Sequence, residues 1–166
     1  LRDLTRTVEP RLIVEEFSSV DVRMQDYVAG LFQAALHEIS DWHRLRLSLP
    51  LRLGGLGITA LGDTCHAAYL GCLHRHRKLL TRDLKTSPGN VLKGFEPAYD
   101  SVTEIVGEGI LPKKNEFFAT SAKKRAAADE ADKESNLGEK VMDKVWEVKV
   151  EAMATKASVF QKFVQT

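Results

Sequence analysis

Cysteine is scarce in this 166-residue chain, with two residues in all. Cys65 and Cys72 lie seven positions apart in one expected helix, which separates their α-carbons by roughly 10 Å at 1.5 Å rise per residue. A disulfide spans at most about 7 Å, so no internal bridge is expected. Reduced thiols in an intracellular protein are the simplest reading. Long apolar runs are missing too: nothing nears the roughly 20 residues of a membrane span, and no membrane partner is expected. The opening Leu-Arg-Asp-Leu-Thr-Arg has none of the organisation of a signal peptide. Starting on Leu1 reads as a cut from a longer frame, although a processed mature protein would begin the same way. An excess of one charge sign is the last absence, with 24 Lys+Arg against 23 Asp+Glu and a net charge of +1. Global charge therefore selects neither nucleic acid nor acidic lipid; only local clustering can.

What is present is ordinary for a chain that builds a core. Hydrophobic residues make up 43% and charged residues 28%, enough for one compact domain or one domain with an extended tail. Pro10 suits the first turn of a short helix. Ser18 or Ser19 is placed to cap a helix of about 20 residues, with Val20, Met24, Tyr27, Leu31 and Ala35 on one apolar stripe and polar residues between them. Such a stripe predicts burial against another element. Ser40-Asp41 interrupts this helix. A basic, leucine-rich stretch then leads through Pro50 to Gly54-Gly55-Leu56-Gly57. Three glycines in four positions predict a tight irregular turn, and the surrounding leucines predict that it is pinned to the core.

Asp63 is the expected N-cap of a helix running to about Leu84, with Leu70, Leu73, Leu80 and Leu84 inward. Thr86–Asn90 reads as a breaker. A shorter helix is expected from about Pro97 to Val106, ended by Gly107, Gly109 and Pro112. Residues 113–136 have helix propensity but little to bury, Phe117 and Phe118 being their only large apolar groups, so a solvated or frayed helix is expected. From Leu137 an amphipathic pattern returns through Val141, Val145, Val148 and Ala152, with Trp146, Phe160 and Phe163 as anchors. The expected class is mainly α: an irregular helical bundle with a glycine-rich turn and an extended C-terminal helical segment. Composition divides the chain into a helical region 1–85, a linker with a short helix 86–112, and charged then amphipathic helices 113–166.

Four chemistries bear on these elements. A metal site would draw on Cys65, Cys72 and His76, but three ligands strung along one helix cannot converge on one ion, the outer two lying roughly 16 Å apart; no metal is expected. A phosphate-cradling loop at the glycines lacks the P-loop and dinucleotide spacings, leaving Gly54, Gly55 and Gly57 as a structural turn. No nucleophile elbow or activated Cys/His pairing occurs, and the acids are scattered, so no catalytic residue and no cofactor or small-molecule ligand is assigned. The basic patch is different. Residues 41–85 hold eight Lys+Arg against three Asp, and Arg75, Lys78, Arg82 and Lys85 recur at helical spacing. Phosphate contact and a merely solvated helix face both fit.

The stretch Leu49-Pro50-Leu51-Arg52-Leu53-Gly54-Gly55-Leu56-Gly57-Ile58 resembles a segment that follows the polymerase palm in reverse transcriptases of non-LTR retroelements. Ala67-Ala68-Tyr69-Leu70 is similar to the helix core that comes soon after it there. Upstream, Arg6-Thr7-Val8-Glu9-Pro10 resembles the family's approach to this region, with Ser18 in place of the Asp of a common Phe-Asp pair. The likeness covers residues 2–85. It implies a helical, thumb-like support cut away from its palm: the family's catalytic hairpin needs paired aspartates, and this sequence has no Asp-Asp pair. The implied partners are RNA or an RNA–DNA hybrid and the remainder of a larger polymerase chain. Arg44, Arg46, Arg75, Lys78 and Arg82 are the expected phosphate contacts. Two other readings stand beside it: an interaction module docking a partner through the C-terminal amphipathic helix, and a decayed element without selected function.

Overall fold

A computed structural model of the chain describes residues 4–31, 40–58, 60–84, 92–119 and 137–164. Among the described residues there are helices and no strands. The α-helices are α1 (Leu4–Thr7), α2 (Val14–Leu31), α3 (Asp41–Ser48), α4 (Leu61–Arg75), α5 (Arg77–Leu84), α6 (Phe95–Val106) and α7 (Leu137–Val164), with single 3-10 turns at Pro10–Leu12 and Leu51–Leu53. The fold is mainly α, as composition and periodicity indicate. No helix among the described residues is long and apolar enough to cross a membrane.

Helix α4 is the hub, touching α1, α2, α6 and α7. Its Ala67, Tyr69, Leu70 and Leu73 meet Phe95, Ala98, Val102 and Val106 of α6 and Val141 and Val145 of α7 in one core. That core draws on all three spans marked out by composition. Where α4 crosses the start of α7, Gly71 faces Gly138 with no side chain between them. A β-carbon on Gly71 would stand 2.7 Å from the Gly138 α-carbon, so only glycine permits this approach.

Phe117 and Phe118 depart from the expectation of a solvated segment. Phe117 is completely buried and Phe118 nearly so. Both rings pack on Phe95, with centroids 5.0 and 4.9 Å away. Residues 114–118 form turns rather than helix, which lets two consecutive side chains enter the core together. On a helix they would diverge by about 100°. The charged residues 120–136, the breaker 86–90, Ala35 and the side chains of Phe160 and Phe163 lie outside the described residues.

Helix α2 also differs from its predicted orientation. Met24, Tyr27 and Leu31 of the expected stripe are exposed, whereas Phe17, Val28 and Ala29 are buried. The inward face is rotated by roughly 85° from the predicted one, at about 100° per residue. The cause is a polar anchor. The Asp21 carboxylate accepts hydrogen bonds from the amides of Leu61 (2.9 Å) and Gly62 (2.7 Å), capping α4 from a neighbouring helix. Gly62 in turn has no side chain to obstruct Ser18 of α2. Asp63, the expected cap, instead pairs with Lys149 of α7, and α4 begins three residues earlier than predicted.

Candidate nucleic-acid interface

The glycine-rich turn is the first part of the basic region to have a defined shape. Ser40 caps α3, its hydroxyl accepting from the amide of His43. After Pro50 the chain makes a 3-10 turn ended by Gly54 in the left-handed conformation (φ 77°), with Gly57 also left-handed (φ 71°). Consecutive amides from Leu53 to Ile58 all donate to carbonyls inside the chain: Pro50, Leu51, Pro50 again, Arg46, Leu49 and Leu47 in order. A phosphate cradle needs free amides pointing at its ligand, and none of these six is free. Gly55 is needed for a different reason, since a β-carbon there would sit 2.1 Å from the Leu49 carbonyl oxygen.

The five arginines and lysines expected to touch phosphate divide into two groups. Arg46 is exposed, but its guanidinium donates to the Gly54 carbonyl at 3.4 Å and its own carbonyl accepts from Leu56. It braces the turn. Arg44 is half-buried and already engaged within the chain. Arg75, Lys78 and Arg82 are exposed, although Arg82 donates to the adjacent Asp83 carboxylate at 2.8 Å. These three do not lie on one continuous helix. The predicted helix through Leu84 breaks at His76, because buried Arg77 turns back to donate to the His74 carbonyl at 2.8 Å. Arg75 therefore closes α4, and Lys78 and Arg82 belong to α5.

Two cationic residues outside the expected set line a cavity together with Arg75. Arg6 of α1 and Arg52 of the glycine-rich turn line the same cavity of about 550 Å³ as Arg75, Cys72 and His76. Arg6 is exposed, and Arg52 forms an ion pair with Asp143 of α7. Both arginines sit within the segments Arg6–Pro10 and Leu49–Ile58 singled out in the sequence. Their sharing of one cavity was not visible there, because it depends on how α1 and the turn meet α4.

Several polar groups are perturbed by burial. Desolvation pushes the Asp21 carboxyl above its ordinary range, against the opposing pull of the Leu61 and Gly62 amides. Burial raises the Cys65 thiol, whose Sγ donates to the Gly62 carbonyl at 3.2 Å. Burial lowers the His66 imidazole, and its Nδ1 has no hydrogen-bond partner. Cys65 and Cys72 are both free thiols. Among the described residues, no group of three or more His, Cys, Asp or Glu is placed to hold a metal ion.

The apolar surface has a definite place as well. Val141, Val145 and Trp146 of α7 are turned inward, with Trp146 against Leu45, Leu49 and Ala60. Among the described residues of the helices, large apolar side chains are exposed at Trp42 of α3 and Leu79 of α5 and, grouped on one helix, at Val22, Met24, Tyr27 and Leu31 of α2. No family model matches the chain, and neither a curated protein nor a solved structure gives a match.

Proposed function

We propose that this chain is a non-catalytic helical support from a reverse transcriptase of the non-LTR kind, holding RNA or an RNA–DNA hybrid without reading its sequence. The observation that carries the reading is the exposure of Arg75, Lys78 and Arg82 where α4 passes into α5. Such cations contact phosphates and position a strand, while base identity is read by other groups. The glycine-rich turn fits a supporting role, because its amides hold the backbone rather than a ligand.

The test is fluorescence anisotropy of the purified chain with a short RNA–DNA hybrid over a range of salt. The slope of log affinity against log salt falls by about 0.7–0.9 for each phosphate contact removed. Changing Arg75, Lys78 and Arg82 together to Ala should therefore flatten it by about two to three. An unchanged slope removes these residues from the interface. No binding at low salt removes nucleic acid as the partner.

Partner docking is the second reading, and one observation moves it within the molecule. The first half of α7 is occupied by the chain's own core, so a docking role falls to the exposed Met24, Tyr27 and Leu31 of α2. A chain that stays monomeric, and whose pull-down partners are unchanged when these three become Ser, counts against it.

A further inference from the structure

The cavity at Arg75 continues past the residues that define it. A second cavity of about 540 Å³ shares Arg6, Pro50, Arg52, Ala68, Met142 and Trp146 with the first. Together they form one cleft, walled by α4 on one side and the first turns of α7 on the other. Its lining includes the apolar Pro50, Ala68 and Met142 together with Arg6, Arg52, Arg75 and His76 from three separate parts of the chain. Asp143 and Glu139 of α7 also line it, with Asp143 paired to Arg52. The cleft therefore combines cations and apolar side chains, with its acids contributed by α7.

We infer that this cleft seats one nucleotide unit of a single strand, its phosphate on Arg6 and Arg75 and its base against Pro50, Ala68 and Met142. The size agrees, since small-molecule sites run to about 300–1,000 Å³. The chemistry agrees too. Guanidinium groups match phosphate oxygens in a planar fork, and apolar lining can bury a base face without regard to sequence, since apolar burial is non-directional. Arg52 also lines the cleft, but it is paired with Asp143, which leaves Arg6 and Arg75 as the phosphate donors. The inference rests on the nucleic-acid reading above but adds a location, because a strand lying only on the outer surface of α5 would leave the cleft empty.

Cys72 provides a direct probe. It lines the cleft and is half-exposed, whereas Cys65 is fully buried. The experiment measures the rate of N-ethylmaleimide modification at Cys72 by peptide mass spectrometry, using the full chain at low salt. It is run alone, with a single strand of about 12 nucleotides, and with a free nucleoside monophosphate. The strand should slow modification of Cys72 severalfold. Arg6→Gln with Arg75→Gln should abolish that protection and weaken strand affinity by about tenfold. Lys78→Gln with Arg82→Gln should reduce affinity but keep protection. Ala68→Leu, which fills the cleft without altering charge, should reduce protection while the melting temperature stays close to that of the parent.

Strand binding with no protection of Cys72 overturns the cleft and leaves the outer-surface reading standing. No strand binding in either assay overturns both. Protection by the free nucleotide but not by the strand overturns the strand seat and makes the ligand a small molecule.

Discussion

Replacing Asp21 by Ala removes a helix cap supplied by a different helix, and the consequence can be worked from the geometry. Two amides at the start of α4, those of Leu61 and Gly62, lose their acceptor together. Loss of an N-cap side chain costs about 0.5–2 kcal/mol. Removing a carboxylate from a helix N-terminus adds about 0.3–1 kcal/mol. The site is half-buried, so water reaches the amides in part. Relief of the repulsion from Asp63 offsets a little more. A net loss of about 1–2 kcal/mol is expected, which for a chain of this size is a fall in melting temperature of about 2–8 °C. Thermal unfolding followed by circular dichroism at pH 7 measures it. Asp63→Ala is the decisive comparison, because it loses only a partly exposed pair with Lys149 and should cost less than about 1 kcal/mol. A larger loss for Asp63→Ala than for Asp21→Ala would return the cap to Asp63 and refute the orientation of α2.

Phe117→Ala should destabilise the chain by about 3–5 kcal/mol in urea unfolding, because the ring is fully buried against Phe95 and Phe118. A loss under about 1 kcal/mol would return residues 113–119 to solvent. Tyr27→Ser and Leu31→Ser should each change stability by less than about 0.5 kcal/mol; a core-sized loss would show that the expected stripe is buried after all. His66 has a pKa lowered by burial from 6.5, so the folded state binds fewer protons than the unfolded one. Its contribution is fully present above pH 6.5 and is lost as pH falls through the folded-state value. Melting temperatures taken between pH 7.5 and 5 should therefore fall more steeply for the parent than for His66→Gln, and parallel curves would contradict this.

The fold class was legible because helical periodicity is a local property. The segment around α6 was readable almost to its ends, since Phe95, Ala98, Val102 and Val106 recur at helical spacing and Gly107 stops the helix with a positive φ. The glycine-rich turn was legible as a turn, but the leucines expected to pin it to the core, Leu51, Leu53 and Leu56, are exposed, and backbone hydrogen bonds to Arg46–Leu51 carbonyls hold it instead. What sequence could not give was each helix's partner. Asp21 looks solvent-facing in any pattern that treats charge as surface, yet it is the contact that sets the roll of α2. His76 interrupts α4 with no Gly or Pro to announce it, because the break depends on Arg77 folding back onto the His74 carbonyl. Phe117 and Phe118 were hidden by charged neighbours. Arg75, Lys78 and Arg82 could be singled out by their spacing, but Arg6 and Arg52 join Arg75 in lining one cavity only through tertiary structure.

The three glycines of the elbow after Pro50 face different kinds of mutational pressure. At Gly54 and Gly57 the demand is on a torsion angle, and Asn or Asp satisfies it at moderate cost. At Gly55 the demand is on space, because the Leu49 carbonyl occupies the volume that any side chain would need. Genetic drift through this stretch therefore has a recognisable spectrum. A lineage in which the fold is still maintained gathers Asn and Asp at positions 54 and 57 while position 55 stays fixed; one released from selection loses all three at the same rate. The elbow thus records, in the substitutions it accumulates, whether the fold is still being kept.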